Sequence, residues 1–112
     1  MRVLLADDHG IVRRGLRSLL ESEPGLTVAA EAADGLEALR LCEEHKPDIL
    51  IVDVGMPKLN GIEVAARVQK LDRAPRTIIL SMHSDESYII RALAAGARAY
   101  LLKDATDEDL IP

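Results

Sequence analysis

The chain has 112 residues, a length that supports one domain with a sizeable core and is too short for two. Nineteen acidic residues against fourteen basic ones give a net charge of −5, which repels polyanions and argues against nucleic acid binding by this segment. No apolar stretch approaches the roughly 20 residues that cross a bilayer, and the N-terminus lacks the pattern of a secretion signal. With Cys42 as the single cysteine, no internal disulfide can form, so we expect a cytoplasmic protein in which Cys42 is buried.

Short apolar runs alternate along the chain with segments of helical periodicity. The runs are rich in Val, Ile and Leu and predict five strands, at 3–6, 26–32, 49–53, 77–81 and 99–103. Between them, apolar side chains recur at helical spacing and are expected to face the core: Val12, Leu16, Leu19 and Leu20; Leu36 and Leu39; Ala65, Val68 and Leu71; and Ile89, Ile90, Leu93 and Ala94. Turn-forming pairs such as Asp34-Gly35 and Asn60-Gly61 separate these elements.

The order of strands and helices predicts the fold class. The third strand contains the sequence ILIV, which has no alternation of apolar and polar residues, so both of its faces are expected to be covered. Alternating strands and helices with right-handed crossovers then give an open, doubly wound α/β domain with a parallel sheet. In such sheets, ligands bind beyond the carboxyl ends of the strands.

Polar side chains stand at the carboxyl ends of four of the predicted strands. Asp7 and Asp8 follow the first strand, Asp53 ends the third, Ser81 ends the fourth and Lys103 ends the fifth. A helix N-cap could use one of the paired acids, most naturally Asp8, but not both. Clustered carboxylates are costly without a cation, and oxygen ligands suit Mg²⁺. The sequence therefore predicts a magnesium site at this edge.

A divalent cation with an ammonium and a hydroxyl nearby describes a receptacle for a phosphoryl group. One carboxylate must then be the acceptor. Asp53 ends the most apolar strand and is expected to lie centrally, so its oxygen is the predicted nucleophile. The expected product is an aspartyl phosphate.

Four stretches of the chain resemble, in order and spacing, the receiver domain of two-component response regulators. They are the Asp7-Asp8 pair, DVGMPKLNG at 53–61, LSMHSD at 80–85 and GARAYLLKDA at 96–105. The last two are similar to the NarL/LuxR-like subgroup, whose members usually carry a C-terminal helix-turn-helix DNA-binding domain. The resemblance covers essentially the whole chain. It implies one receiver domain at 1–112 with a flavodoxin-like five-stranded sheet of order 2-1-3-4-5.

The resemblance also implies an acceptor and a metal site. Asp53 would accept a phosphoryl group from the phosphohistidine of a sensor histidine kinase. Asp7, Asp8 and Asp53, with the backbone carbonyl of Gly55, would organise Mg²⁺ directly or through water. The chain would be a phosphoacceptor with self-catalysed phosphorylation and slow autodephosphorylation, not a true enzyme. Gly55 has no side chain to shield the aspartyl phosphate from water.

Further residues would carry the switch on the same resemblance. Lys103 would contact the phosphoryl group, Ser81 would turn toward it, and Tyr100 would follow as an aromatic switch. The switch face would comprise the fourth helix, the fifth strand and the fifth helix, and phosphorylation could promote a homodimer. The switch would regulate an output domain, attached to this chain or on a partner protein, that acts in transcription.

The last residues, ATDEDLIP at 105–112, offer a helix start signal at Thr106. We therefore expect a fifth helix that is incomplete in this chain, with a DNA-binding output domain lying outside it. An uncovered sheet face would favour self-association or marginal stability.

Three other functions compete with this interpretation. An FMN-binding protein would need a hydroxyl- and glycine-rich loop after the first strand, where this chain has DDHG. An aspartyl phosphatase would favour a second acid at the position of Gly55. The third alternative is a receiver-like module that is never phosphorylated and works only by docking, and the sequence does not decide against it. His9, His45 and His83 lack a common metal-ligand spacing, so no transition-metal site is predicted.

Overall fold

The computed structural model describes residues 1–81 and 86–102, which hold five strands and four helices. In chain order these elements are β1 (Arg2–Ala6), α1 (Gly10–Glu21), β2 (Thr27–Ala32), α2 (Gly35–His45), β3 (Ile49–Asp53), α3 (Gly61–Val68), β4 (Arg76–Ser81), α4 (Glu86–Ala94) and β5 (Ala99–Leu102).

The five strands form one parallel sheet in the order β2-β1-β3-β4-β5. This confirms the predicted α/β class and strand order. Because all neighbours are parallel, the residues that follow the strands lie along one edge of the sheet. In the register, Ala6 of β1 stands beside Val52 of β3, and Asp53 stands beside Leu80 of β4.

Two apolar clusters cover the two faces of the sheet. Alternate residues of β1 divide between them, with Val3 and Leu5 in the cluster that contains Leu16 of α1, and Leu4 in the cluster on the opposite face. That second, larger cluster holds side chains from the other three helices: Ala38, Cys42, Val64, Ala65, Val68 and Ala92. The prediction that β3 is covered on both faces is therefore confirmed.

Cys42 is buried in the larger cluster, as predicted. Loss of hydration raises the pKa of its thiol to about 12. The thiol therefore stays protonated at neutral pH and acts as a small apolar side chain.

The predicted inward face of α4 is wrong. Ile90 is 57% exposed and Leu93 is 52% exposed, and Ala94 is exposed as well. Ala92 is fully buried and Ile89 is half-buried. Since residues three apart share one side of a helix, Ile89 and Ala92 define the side that contacts the protein. Ile90 and Leu93 lie on the other side.

Two further apolar residues predicted to be buried are exposed, Val12 of α1 and Leu36 of α2. Each lies in the first turn of its helix. In α1 the buried residue comes later, at Leu16, and in α2 the buried residues Gly35 and Ala38 lie on either side of Leu36 along the chain. The helical period identified the correct elements but not which residues of the first turn are buried.

The sequence prediction for the fifth helix, including Thr106, lies outside the described residues. Within 1–81 and 86–102, no helix has the length and apolar character needed to span a bilayer.

Candidate functional site

The acids that follow β1 and that end β3 meet at the carboxyl edge of the sheet. Asp7, Asp8, His9 and Asp53 each direct a potential ligand atom into one cluster, and these atoms all lie within 4.8 Å of one another. Asp7 is 2% exposed and Asp53 is 4% exposed, whereas the Asp8 side chain is 30% exposed. Two segments that are far apart in sequence thus supply one acidic site, as predicted.

Backbone and side-chain hydrogen bonds fix the loop between β1 and α1. The amide of Asp7 donates to the Ala32 carbonyl at the end of β2 (3.0 Å), and the amide of His9 donates to Asp7 Oδ1 (2.8 Å). Arg13 Nη1 donates to the Asp7 carbonyl (2.6 Å), while Arg13 Nε donates to Glu31 Oε1 (3.0 Å). The Asp7 backbone is therefore held from both β2 and α1.

Neither acid of the pair caps α1, so the expectation that Asp8 could be the N-cap is wrong. The N-cap is His9, in extended conformation, and its side chain makes no capping hydrogen bond. Its Nδ1 atom lies 3.3 Å from Asp7 Oδ1 and 3.2 Å from Asp8 Oδ1. Because the helix begins one position later than an Asp8 cap would require, both Asp7 and Asp8 direct their carboxylates into the cluster.

The acceptor candidate is positioned by a tight turn after β3. Asp53 Oδ1 accepts from the Gly55 amide (3.2 Å), and the Val54 amide donates to the Leu80 carbonyl of β4 (2.9 Å). The Gly61 amide then closes the loop onto the Val54 carbonyl (3.1 Å). A Cβ on Gly61 would lie 2.5 Å from the backbone oxygen of Asp53, so only glycine fits this approach.

Gly55 leaves the approach to Asp53 open. A Cβ at this exposed position would lie 3.9 Å from Asp53 Oδ2 and 4.0 Å from Oδ1, which is ordinary van der Waals distance. A larger side chain at residue 55 would therefore fit and would stand beside the carboxylate.

The rest of the loop after Asp53 rests on the start of α2. The Gly35 amide donates to the Pro57 carbonyl (3.3 Å), and a Cβ on Gly35 would overlap the Leu59 backbone. Lys58, at φ 70°, places its Nζ 3.5 Å from Asp34 Oδ2. Asp34 caps α2, and the pKa of its carboxyl is lowered, mainly by the hydrogen bond from the Glu37 amide and further by the Lys58 charge.

The remaining candidates lie on β4 and β5. Ser81 is the last residue of β4, is 1% exposed, and comes one position after the register partner of Asp53. It therefore lies at the same edge of the sheet. Tyr100, in β5 beside Ile79, is partly buried against the larger apolar cluster. Lys103 lies outside the described residues.

A cavity of about 310 Å³ lies away from this site, between the C-terminal ends of α2 and α3. Cys42, Lys46 and the segment 70–73 contribute to its lining. Because both helices end at the opposite edge of the sheet from Asp53, the cavity takes no part in the chemistry considered for the acids.

The donor set of the acidic site fits a divalent cation. Asp7 and Asp53 are almost wholly buried, and Asp8 adds a third carboxylate within the same 4.8 Å. Converging negative groups in a poorly hydrated site repel one another, and a cation relieves this repulsion. Oxygen donors of this kind suit Mg²⁺.

Sequence reasoning missed two residues that the structure places at the site, His9 and Arg13. The signal for His9 is the tripeptide Asp-Asp-His, which puts an imidazole next to the acid pair. For Arg13, the signal was an arginine one helical turn after the acid pair, where it can reach back to the loop.

Comparison with known proteins matches the response regulator receiver domain family over residues 3–112. The chain is 42% identical over 111 residues to the uncharacterized transcriptional regulatory protein YhcZ of Bacillus subtilis (strain 168). That match covers 99% of this chain and 52% of YhcZ, so the chain spans about half the length of the curated relatives it matches.

Solved structures similar to this chain also include receiver domains. The signal receiver domain of the NarL response regulator from Mycobacterium tuberculosis superposes with a TM-score of 0.92 at 35% identity, covering 98% of this chain and 89% of that one. A chain of the CheX-CheY-BeF3-Mg complex from Borrelia burgdorferi gives a TM-score of 0.88 at 28% identity, and the match covers 99% of this chain and 86% of that one.

Receiver domains are phosphoacceptor signalling domains rather than classical enzymes. The fold, the acid cluster and these similarities agree with one another. This chain belongs to the response regulator receiver domain family, and its similarity is to the NarL/LuxR type.

Proposed function

We propose that this chain is a phosphorylation-dependent switch in which Asp53 accepts a phosphoryl group from a sensor histidine kinase in a Mg²⁺-dependent reaction. It would act in the cytoplasm and regulate an attached or partner output domain in transcription. The observation that carries this proposal is the convergence of Asp7 and Asp8 on Asp53 within 4.8 Å, at the carboxyl edge of a parallel sheet.

The metal would be held by Asp7, Asp8 and Asp53 with the backbone carbonyl of Gly55. Bound there, Mg²⁺ would supply neutralisation of the charge on phosphoryl oxygens. The oxygen donor set supports this, as does the similar CheX-CheY complex from Borrelia burgdorferi, which contains BeF3 and Mg²⁺.

Asp53 supplies the nucleophile. One of its carboxylate oxygens forms a bond to phosphorus while the P–N bond to the kinase histidine breaks, and the imidazole departs. The hydrogen bond from the Gly55 amide to Oδ1 (3.2 Å) and the turn closed at Gly61 orient the carboxylate at the end of β3. Such orientation lowers the entropic cost of reaching an in-line geometry.

The switch would use Ser81, Tyr100 and Lys103. Ser81 lies at the same edge as Asp53, and its hydroxyl would turn toward the phosphoryl group, which Lys103 would also contact. Tyr100 on β5 would respond to that turn. Phosphorylation can shift the equilibrium between two existing conformations only by as much as their affinities for the phosphoryl group differ. The favoured conformation would promote homodimer formation.

Acetyl phosphate tests this proposal without a kinase. Intact-mass measurement of wild type with acetyl phosphate and Mg²⁺ should show the gain of one phosphoryl group, which EDTA prevents. Asp53→Asn should show no gain, whereas Asp72→Asn, at an exposed loop residue, should behave as wild type. An unmodified wild type in the presence of Mg²⁺ would contradict the proposal and favour the docking module.

A further inference from the structure

We propose that Lys58 is a positioning residue for the phosphoryl acceptor, because its ion pair with Asp34 holds the loop after Asp53 in a strained turn against α2. The inference rests on the proposed function insofar as this loop orients Asp53 for phosphoryl transfer. It gives an exposed ion pair outside the acidic site a role in the rate of that reaction.

Lys58 forms the centre of a tight turn in the loop. The Leu59 amide donates to the Pro57 carbonyl (2.8 Å), and the φ of Lys58 is 70°. Such a hydrogen bond around a central residue of positive φ defines a γ-turn of the rare and strained kind. In the described part of the chain, the other residue with positive φ besides glycine is Lys46, at the end of α2, where left-handed backbone is common. A lysine inside a loop needs support from its surroundings to keep this conformation.

The support comes from the start of α2. Lys58 Nζ lies 3.5 Å from Asp34 Oδ2, and the Gly35 amide donates to the Pro57 carbonyl (3.3 Å). The Leu59 backbone approaches Gly35 so closely that a Cβ there would lie 2.0 Å from the Leu59 oxygen. Because the Lys58 side chain is 61% exposed, its ion pair is weak and opposes the strain of the turn with similar strength. Loss of the pair should therefore release the turn.

The turn lies between the two contacts that orient the acceptor. The Gly55 amide donates to Asp53 Oδ1 (3.2 Å), and the Gly61 amide donates to the Val54 carbonyl (3.1 Å). Lys58 stands midway between Gly55 and Gly61 in the sequence, so a turn that relaxes moves the segment that joins these two contacts. Small displacements of a reacting group slow a reaction strongly. The ion pair should therefore affect the rate at which the acceptor reacts.

Two substitutions at residue 58 separate the charge from the strain. Lys58→Gln removes the charge and keeps the strain, so the turn should open. Lys58→Gly also removes the charge, but glycine adopts positive φ readily, so the turn should persist. The larger change in side chain should thus perturb the site less, an order that loss of a surface charge alone does not produce.

The rate of phosphorylation of the 112-residue chain by acetyl phosphate and Mg²⁺, followed by intact mass, tests this order. Lys58→Gln should lower the maximal rate by roughly tenfold and leave the acetyl phosphate concentration at half-maximal rate within about twofold. Lys58→Gly should react at the wild-type rate. Lys70→Gln is the matched control, since Lys70 is an exposed lysine beyond α3, at the opposite edge of the sheet.

The Gly35 amide gives a readout that needs no phosphorylation. Gly35 is the first residue of α2, where an amide has no partner within the helix, so its protection depends on the Pro57 carbonyl. Hydrogen exchange of this amide, measured by NMR, should be faster in Lys58→Gln and unchanged in Lys58→Gly. Asp34→Asn keeps the helix cap and should match Lys58→Gln, and the double variant should add no further loss.

Three results would each overturn the inference: unchanged Gly35 exchange in Lys58→Gln, equal losses in Lys58→Gln and Lys58→Gly, or faster exchange with an unaltered phosphorylation rate. A wild type that gains no phosphoryl group would contradict the proposed function. In that case faster Gly35 exchange in Lys58→Gln would still uphold the hold of Lys58 on the loop, and unchanged exchange would overturn it. The two proposals therefore fail separately.

Discussion

Gly61 approaches Asp53 so closely that a Cβ on Gly61 would lie 2.5 Å from the Asp53 backbone oxygen. Gly61→Ala should therefore displace the end of β3 and lower the free energy of unfolding by about 1–3 kcal/mol, the usual range for overpacking. Urea unfolding measures this change. Gly15→Ala is the matched control, because a Cβ at Gly15 has nothing within 4 Å and alanine favours the helix by about 0.5–1 kcal/mol. Equal stability of the two variants would contradict the tight turn.

Gly55 should set how fast water reaches the aspartyl phosphate. Gly55→Leu would place an apolar side chain beside the Asp53 carboxylate, since the Cβ fits at 3.9 Å. We expect the phosphorylated form to decay severalfold more slowly, with little change in stability because residue 55 is exposed. Timed intact-mass measurement after removal of acetyl phosphate gives the decay rate. An unaltered rate would show that water approaches from another side.

Arg13 should act as a positioning residue for the acid loop. Arg13→Ala removes the hydrogen bonds to the Asp7 carbonyl and to Glu31, so Mg²⁺ affinity should fall by about tenfold. The free energy of unfolding without Mg²⁺ should change by less than the free energy of Mg²⁺ binding. Arg13→Lys should restore only part of the affinity, because lysine lacks the fork that joins the two acceptors. Magnesium calorimetry checks both variants. Arg14→Ala, at the neighbouring exposed position, should bind as wild type.

Asp34 should contribute to the dependence of stability on pH. Its pKa lies below the usual 3.8 because it accepts from the Glu37 amide and lies near Lys58, so its carboxylate stabilises the fold above that value. This contribution is lost as pH falls through the lowered pKa. Asp34→Asn keeps a good N-cap but does not titrate, so its stability should fall less between pH 5 and pH 3.

Urea unfolding of wild type and Asp34→Asn at those two pH values gives the comparison. Asp48, whose pKa is lowered mainly by the hydrogen bond from the Arg2 amide, titrates in both proteins and cancels in the difference. Parallel losses of stability in the two proteins would show that the cap charge has no effect.

The strands could be predicted because uninterrupted apolar runs have few alternatives, whereas their order in the sheet followed only from the resemblance to receiver domains. The apolar run at 49–53 predicts a strand with the same bounds as β3. The buried face of a helix is harder to predict than a strand. In α4 the spacing of apolar residues does not reveal that the small Ala92, rather than Ile90 or Leu93, lies against the protein. Which side of a helix packs depends on tertiary contacts that the period alone leaves undetermined.

The site was predictable as far as topology determines it. Asp7 follows β1 and Asp53 ends β3, and because these strands are parallel neighbours the two acids had to meet at one edge of the sheet. The directions of His9 and Arg13 depend on the loop conformation after β1, in which the Asp7 amide binds Ala32 and His9 rather than Asp8 caps α1. No periodic pattern encodes such a loop, so these contacts became visible only in the structure.

The most direct test of the central claim is to locate the acyl phosphate itself. Borohydride reduces an aspartyl phosphate to homoserine, so wild type treated with acetyl phosphate and Mg²⁺ and then reduced should contain homoserine at position 53 in peptide mass spectra. The same treatment in EDTA should leave aspartate there. Homoserine at another carboxylate, or unmodified aspartate at 53 with Mg²⁺ present, would contradict the account of this chain as a switch phosphorylated on Asp53.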